Sequence, residues 1–349
     1  MQLSEILPGP VTPSFIHSIP KAELHVHLEG SIDAETLREL AGPAGMRETD
    51  EWIRERERRA WRYNGLADFL GAFKWVTQRL DSPQAYALAA TRLLERLASQ
   101  NVRYAEITLS AGVILWKKQS IPEIFEAIAE ATESFTSRSS LRAVWIFDAI
   151  RHFGPDHARE VLGWARIFRD DGVCAFGIGG DEQRGPAELF ASIYQEARDL
   201  GLHTTAHAGE SCGPESVRNA IETLGAERIG HGLAAARDPT VMEMLSNRHV
   251  ALEICLTSNI RTGAIKSLQD HPFRQFLDAG IEVTLNTDDP ALFGTSLENE
   301  FAVAAASFGL TRAEIVRLAR NAITASFMPG AEKHKIAAEL DRCLRQNGD

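Results

Sequence analysis

Close cysteine pairs and long apolar runs are both missing from this sequence of 349 residues. The four cysteines, Cys174, Cys212, Cys255 and Cys343, are widely scattered, and none forms the C-x-x-C pair of a zinc knuckle or a dithiol site. Reduced thiols, as found in the cytosol, are therefore expected. No run approaches the roughly 18 apolar residues that a membrane-spanning helix needs. The sequence predicts a protein without a membrane span.

Positive charge is also in short supply. The chain has 37 lysines and arginines against 48 aspartates and glutamates, a formal net charge of −11. It therefore repels polyanions, and no basic stripe interleaved with aromatic residues could follow a phosphate backbone. The N-terminal segment lacks the basic start and apolar core of a signal peptide, and Pro8, Pro10 and Pro13 interrupt it. We expect a cytoplasmic protein that does not bind polymeric nucleic acid.

What the sequence does contain is an alternation of short apolar runs with longer amphipathic segments. The runs are almost continuously apolar, as in a parallel sheet that is buried on both faces. The segments between them, such as residues 185–201, have helical spacing and end at a glycine. Eight strands are predicted, at residues 22–30, 102–110, 142–150, 173–182, 203–210, 228–232, 250–259 and 281–289.

Eight parallel strands favour closure into a (β/α)8 TIM barrel, although a doubly wound open sheet shows the same alternation. The position of polar residues separates the two, because the reactive groups of a barrel lie at the C-terminal ends of many strands and converge on one face. Six of the eight predicted strands end in His, Asp or Glu. We therefore expect an α/β protein, one barrel domain over residues 1–349 with a helical insertion after strand 1.

The insertion covers about residues 34–100 and contains a charge-dense stretch at residues 48–66. Such a stretch is typical of a solvated helical face. Alternatively, the insertion covers the barrel mouth, and Phe69, Leu70, Phe73 and Trp75 form part of a lid. The sequence leaves both interpretations open.

His25 and His27 flank Val26 in the first predicted strand. Because residues i and i+2 of a strand point to the same face, both imidazoles lie on one side. Ordinary buried histidines have this spacing too, so the pair alone does not establish a metal site. His207 and Asp288, at the expected ends of strands 5 and 8, add support, because three imidazoles and a carboxylate suit zinc with an open position for water. Zinc lowers the pKa of bound water to about 7, which favours hydrolysis. These ligands also suit other divalent ions.

Three further polar residues lie beside the predicted ligands. Glu210 is either a carboxylate favoured by a helix N-terminus or a proton carrier next to the metal. His231 lies between two glycines that permit close approach, as either a core histidine or a site residue. Asp289 adjoins Asp288, and their mutual repulsion is relieved by a cation or a donor, unless the pair is simply a solvated turn.

One motif indicates different chemistry. Residues 209–213 fit G-x-S-x-G between a predicted strand and a predicted helix, so Ser211 is a candidate nucleophile of a serine hydrolase. That interpretation leaves the histidines and the paired aspartates unexplained. The run Gly177-Ile-Gly179-Gly180 lacks the third glycine of a dinucleotide fingerprint and suits close backbone approach.

The segments PKAELHVHLEGSI, GGDE, HAGE, ERIGHG, CLTSN and NTDDP, in this order, resemble the adenosine deaminase family of metal-dependent hydrolases from Pro20 to about Phe327. The resemblance implies hydrolytic deamination, in which oxygen replaces the 6-amino group of a purine and ammonia leaves. It implies one zinc ion per chain, held by His25, His27, His207 and Asp288.

The same resemblance implies a role for each remaining residue. Glu210 would protonate the ring nitrogen N1, and His231 would orient the zinc-bound water and deprotonate it. Asp289 would bond N7, and the backbone of Gly180 would lie near N3. The partner is thus a small aminopurine nucleoside.

One position departs from the adenosine-specific pattern H-x-H-x-D-G, because Glu29 replaces the aspartate that reaches the ribose 5′ region. The extra methylene changes which 5′ substituent fits. Family members with glutamate here include adenine deaminases and deaminases of 6-amino-6-deoxyfutalosine, a 5′-extended adenosine-like intermediate of menaquinone biosynthesis. CLTSN favours the nucleoside deaminases over the adenine branch, which has CPLSN. The predicted substrate is a 5′-modified adenosine such as aminodeoxyfutalosine, with adenosine and adenine as alternatives.

Overall fold

A computed structural model describes residues 9–346. Residues 1–8, the first part of the proline-interrupted segment, and residues 347–349 lie outside the described residues. Eight strands form one sheet in which each strand pairs in parallel with the next along the chain. They are β1 (Lys21–His27), β2 (Val102–Leu109), β3 (Arg142–Ile150), β4 (Val173–Gly179), β5 (His203–Ala208), β6 (Arg228–His231), β7 (Ala251–Ile254) and β8 (Val283–Leu285).

The sheet closes through the segment that follows β8. The backbone N–H of Asp288 donates to the carbonyl of His25 at 2.9 Å, and the N–H of His27 donates to the carbonyl of Asp288 at 2.8 Å. The last strand segment therefore pairs with the first. This closure confirms the (β/α)8 TIM barrel and excludes the doubly wound open sheet.

Sixteen α-helices surround the barrel within residues 9–346. Several begin at a capping side chain; Ser82, for example, accepts the N–H of Ala85 just before a proline. The helices are α1 (Pro13–Ser18), α2 (Ala34–Arg58), α3 (Leu66–Thr77), α4 (Pro83–Ser99), α5 (Ala111–Trp116), α6 (Ile121–Thr136), α7 (Pro155–Ile167), α8 (Ala191–Asp199), α9 (Pro214–Asn219), α10 (Pro239–Arg248), α11 (Leu256–Arg261), α12 (Phe273–Asp278), α13 (Pro290–Phe293), α14 (Leu297–Phe308), α15 (Arg312–Ala325) and α16 (Gly330–Gln346). No helix in this part of the chain combines the length and apolarity needed to cross a membrane.

All eight predicted strands are present, but most end earlier than the sequence suggested. The largest difference is in the run 250–259, where β7 ends at Ile254 and α11 begins at Leu256. Ser258 and Asn259 therefore lie on a helix, and both are fully buried. Their polar groups have partners in the barrel mouth: Ser258 bonds Asp288, and Asn259 lies between His231 and His271.

The segment between β1 and β2 is helical, as predicted, and consists of α2, α3 and α4. Helix α2 is interrupted at Gly42 (φ 59°), directly before Pro43. Trp52 stacks on Trp75 of α3, with ring centroids 4.2 Å apart. This stacking fixes α3 against α2. Trp75, one of the four residues named in the lid interpretation, therefore packs against the neighbouring helix.

Candidate active site

The four predicted metal ligands come together at the C-terminal end of the barrel. His25 and His27 lie on β1, His207 on β5 and Asp288 after β8. The ring centroid of His25 is 5.3 Å from that of His27 and 4.6 Å from that of His207. Oδ1 of Asp288 lies 3.3 Å from Nε2 of His25 and 3.3 Å from Nε2 of His27. Barrel closure brings His25 and Asp288 together from opposite ends of the chain, and the parallel strand order places His207 at the same end of the barrel.

A cation fits this cluster. Ligand atoms of His25, His207, His231 and Asp288 all lie within 4.8 Å of one another, and a second group of His27, Asp288 and Asp289 overlaps it. Nε2 of His25 and Nδ1 of His27 are buried and have no hydrogen-bond partner among the described residues. Buried polar atoms normally have a partner, so Nε2 of His25, which faces Oδ1 of Asp288 without a hydrogen bond, is well suited to a metal ion.

The protonation states of His27, His207 and Asp288 agree with this fit. Burial lowers the pKa of His27 to about 4. Burial and the neighbouring imidazoles hold the pKa of His207 well below its usual value. Burial opposes ionisation of Asp288, but the close approach of His25 and the charges of the surrounding imidazoles hold its pKa well below its usual range. Two neutral imidazoles and a carboxylate are the forms that bind metals.

Two side chains that the sequence analysis did not single out hold the ligands in place. Oε2 of Glu253, on β7, lies 2.8 Å from Nδ1 of His25. The hydroxyl of Ser258 donates to Oδ2 of Asp288 at 2.6 Å. Glu253 also accepts from Nε of Arg228 at 2.6 Å. The available sequence signal was Glu253, a charged residue inside an otherwise apolar strand run; Ser258 gave no comparable signal.

Glu210 follows β5 and lies beside His231, with 3.8 Å between its Oε2 and Nε2 of His231. Burial raises the pKa of Glu210 above its usual value. A carboxyl group of raised pKa is suited to carrying a proton near neutral pH. Glu210 and His231 thus lie beside the cluster of predicted metal ligands.

The loop that carries Glu210 is held by a second buried acid, Glu182. Its carboxylate accepts the backbone N–H groups of Gly209, Glu210 and Ser211 at 2.7, 3.0 and 2.8 Å. The hydroxyl of Ser211 also donates to Glu182, at 3.2 Å. Among the described residues, no histidine hydrogen-bonds Ser211, so the arrangement does not support a serine nucleophile.

His231 and Asp288 share an unusual backbone conformation, because both are non-glycine residues with φ of 63°. Left-handed backbone at such residues costs on the order of 1–3 kcal/mol and concentrates at functional sites. At Asp288 this conformation occurs in the segment whose backbone closes the barrel against β1. The fold therefore maintains a local strain at two predicted site residues.

Asp289 is buried beside Asp288, and its Oδ1 has no hydrogen-bond partner in the described part of the chain. Burial and the adjacent Asp288 raise the pKa of Asp289 well above its usual value. The carboxyl group approaches Gly30 so closely that a Cβ there would lie 1.7 Å from Oδ1 of Asp289. Only glycine at position 30 leaves room for this carboxyl.

Gly180 and Glu29 were both predicted to contact the substrate, but only Gly180 lines the cavity over the cluster. Gly180 (φ 91°) lines the cavity over the cluster, next to His152. Glu29 is buried, and its Oε1 accepts the backbone N–H of Ser110 at 3.0 Å while its Oε2 has no partner among residues 9–346. Ser110 lines the cavity, whereas Glu29 does not. Direct contact of Glu29 with substrate therefore stays a prediction.

A cavity of about 320 Å³ opens over the cluster. Its inner end carries the polar groups just described, together with Asp148 at the end of β3, whose pKa burial raises to about 8. Its outer end is apolar and aromatic. One wall is a stripe of α3 residues at helical spacing: Leu66, Phe69, Leu70, Phe73, Lys74 and Thr77. Phe69, Leu70 and Phe73, three of the four residues named in the lid interpretation, are therefore in this wall.

Trp116 and Phe153 also line the cavity, next to the α3 wall. Their rings are nearly parallel, at 14°, with centroids 6.3 Å apart. Nζ of Lys74 lies 5.1 Å from the centroid of the Trp116 ring. Within the described chain, no carboxylate pairs with Lys74. The outer end thus presents aromatic faces and one cation without an acidic partner.

Comparisons with known proteins agree with this site. The family model described as adenosine deaminase matches residues 20–343. The chain is 37% identical over 332 residues to an aminodeoxyfutalosine deaminase of Streptomyces avermitilis, covering 94% of this chain and 92% of that protein. It is 35% identical to an adenosine deaminase of Klebsiella pneumoniae, covering 90% and 96%.

Solved structures show the same relationship. The adenine deaminase of Arthrobacter aurescens has a TM-score of 0.87 at 28% identity, covering 93% of this chain and 98% of that one. An amidohydrolase of Burkholderia ambifaria with bound Zn has a TM-score of 0.83 at 25% identity, covering 98% of each chain.

Proposed function

The chain belongs to the adenosine deaminase family, and we propose that it is a zinc-dependent enzyme that deaminates a 5′-extended 6-aminopurine nucleoside, 6-amino-6-deoxyfutalosine. The family consists of metal-dependent hydrolytic deaminases that act on cyclic amidines, and adenosine-like substrates are its common class. The proposal concerns the metal, the residue roles and the substrate within that class.

The outer end of the cavity is the observation that carries the substrate assignment. Aminodeoxyfutalosine resembles adenosine with its 5′ carbon extended by an arm that ends in a carboxylated phenyl ring. With the purine at the inner polar end, such an arm extends toward the α3 wall and Trp116. Aromatic stacking and a cation without an acidic partner complement a flat anionic group. Adenosine would leave these groups unused.

At the inner end, His25, His27, His207 and Asp288 would hold the metal. Bound zinc supplies an activated water at neutral pH. Glu210 faces the ring nitrogen N1 and provides its proton, while His231 contacts the reacting oxygen. Asp289 binds N7 by donating a hydrogen bond from its protonated carboxyl group, and the backbone of Gly180 lies near N3. Glu29 shapes the 5′ side together with Ser110.

A substrate panel tests the proposal. We expect kcat/KM to be highest for aminodeoxyfutalosine, lower for adenosine and methylthioadenosine, and lowest for adenine. A protein that turns over adenosine at least as well as aminodeoxyfutalosine would be an adenosine deaminase, as the Klebsiella relative is named. Adenine as the best substrate would equally refute the assignment.

Substitution of Lys74 by Gln tests the role of the outer cation. We expect kcat/KM for aminodeoxyfutalosine to fall about 10–100-fold, because a charged hydrogen bond contributes about 1.5–3 kcal/mol. The value for adenosine should not change. Lys335→Gln, which removes an exposed lysine of α16, is the matched control. Equal losses for both nucleosides would show that Lys74 does not recognise the 5′ arm.

A further inference from the structure

His231 stands at one end of a buried chain of hydrogen bonds, and the other end of the chain is a backbone N–H group. The N–H of Phe273 donates to Nδ1 of His271 at 3.0 Å. Nε2 of His271 lies 3.1 Å from Oδ1 of Asn259, and Nδ2 of Asn259 lies 3.1 Å from Nδ1 of His231. All three side chains are buried, at 5% exposure or less.

The direction of every hydrogen bond in this chain follows from the backbone N–H of Phe273, where the chain begins. A backbone N–H can only donate, so Nδ1 of His271 accepts and carries no proton. Burial lowers the pKa of His271 to about 3, which keeps the ring neutral. Its single proton is therefore on Nε2 and points to the carbonyl oxygen of Asn259. The amide group then presents its NH2 to His231.

The same reasoning fixes the proton of His231. Its Nδ1 faces an NH2 donor, so Nδ1 must be an acceptor. A proton on Nδ1 would place two donors against each other in a buried site, at a cost of an unmade hydrogen bond. The remaining position is Nε2, which faces the cluster and lies 3.8 Å from Oε2 of Glu210 and 4.0 Å from Oδ2 of Asp288.

We propose that Asn259 and His271 are positioning residues that lock His231 in the tautomer protonated on Nε2, so that His231 donates a hydrogen bond to the reacting oxygen and takes no proton from it. The inference rests on the proposed function and changes one role that the family resemblance implies. His231 still orients the attacking water, but the base is another group.

The proton then has a defined route. Asp288 is assigned to the metal, so Glu210 is the neighbouring carboxylate that can take it. The attacking water gives one proton to Glu210, which passes it to N1 as the C6–O bond forms. The second proton of the water moves to the amino group, and ammonia leaves as the C6–N bond breaks. Every proton is accounted for without a transfer to His231.

The direct test is nuclear magnetic resonance of the zinc-loaded enzyme labelled with ¹⁵N-histidine. Couplings between ring nitrogens and carbon-bound protons show which nitrogen carries the proton, and loss of a signal set in His231→Gln identifies the residue. We expect Nε2 of His231 to be protonated and Nδ1 to be bare. The reverse pattern would overturn the proposal. No nucleoside is needed, so a failed substrate panel leaves this result unaffected.

Asn259→Asp provides a second test, because a carboxylate accepts hydrogen bonds from both imidazoles. It should move the proton of His231 to Nδ1 and lower kcat about 100-fold, as loss of one well-placed donor does, with little change in KM. Asn247→Asp adds the same charge at an exposed position of α10 and should match the wild type. A normal kcat in an Asn259→Asp enzyme with the inverted tautomer would contradict the donor role. Should this variant fail to fold, the wild-type spectrum decides.

Discussion

Glu253 and His25 form a buried hydrogen bond of 2.8 Å, between Oε2 of the acid and Nδ1 of the imidazole, across 228 positions of sequence. Because Nδ1 of His25 is engaged, only its Nε2 is available to a metal. Burial favours the neutral acid, but Arg228 and His25 hold the pKa of Glu253 near 2, so it is a carboxylate. This acid therefore orients the ring of His25.

Glu253→Gln should weaken zinc binding about 10–100-fold, the range measured for partners of metal-bound histidines. An amide keeps the shape but loses the charge that favours an Nδ1–H donor. Chelator competition gives the zinc Kd. Glu243→Gln, an exposed acid on α10, is the control. An unaltered Kd in Glu253→Gln would show that His25 is oriented by other contacts.

Glu210→Gln should reduce kcat by about 10²–10⁴-fold, because the amide cannot carry a proton. The zinc content should stay near one ion per chain, as Glu210 is not an assigned ligand. Steady-state kinetics and metal analysis check both expectations. Ser211→Ala should keep most activity; its inactivity, with Glu210→Gln active, would indicate the serine hydrolase instead.

Removal of the metal should abolish deamination, and added zinc should restore it. The apoenzyme should also unfold at a lower temperature, since a ligand that binds only the folded state stabilises it by mass action. Activity assays and thermal unfolding with and without chelator provide the measurement. Activity that survives complete chelation would contradict the assigned metal chemistry.

Gly30→Ala should impair catalysis more than folding. The new methyl group would overlap the carboxyl of Asp289, which must move away from its position over the cluster. We expect kcat/KM to fall at least tenfold. Gly163→Ala, in α7 where no atom lies within 4 Å of the added Cβ, should leave kcat/KM unchanged and add roughly 0.5–1 kcal/mol of stability. Equal activity of both variants would show that Asp289 tolerates displacement.

Lys21 should make the free energy of unfolding depend on pH in the alkaline range. Its buried ammonium donates to the carbonyls of Ile16 and Ile19 at 2.7 and 2.8 Å, and burial lowers its pKa to about 8. Above pH 8 the unfolded chain holds a proton that the folded chain has lost, so the free energy of unfolding rises with pH. Between pH 8 and 9.5 the rise should be about 2 kcal/mol.

Urea unfolding of the wild type and Lys21→Met at pH 7, 8 and 9.5 measures this effect. The other titrating groups are common to both proteins, so the difference between them isolates Lys21. Above pH 8 the free energy of unfolding of the wild type should rise relative to that of Lys21→Met. A constant difference across the range would show that Lys21 has an ordinary pKa in the folded protein.

The barrel and most of the site were predictable from the sequence because they depend on local rules. Alternating residues of β1 place His25 and His27 on one face, and parallel strands of a barrel bring their C-terminal ends together. His207, His231 and Asp288 therefore converge with them as expected. The ends of most strands were predicted too late, since they depend on where the chain leaves the sheet. The contact of Trp75 with Trp52 could not be predicted, because it depends on which helix α3 meets.

The sequence by itself determined the repeating βα pattern, the identity of the reactive groups and their place at strand ends, because periodicity and side-chain chemistry are local properties. Only the tertiary structure decided how those groups are held. Three contacts join segments that no local sequence pattern connects. They are the hydrogen bond between Glu253 and His25, the hydrogen-bonded chain from His271 through Asn259 to His231, and the contact of Lys74 with the Trp116 ring. Barrel closure and the packing of α3 bring these groups together, because such contacts depend on segments that lie far apart in the sequence.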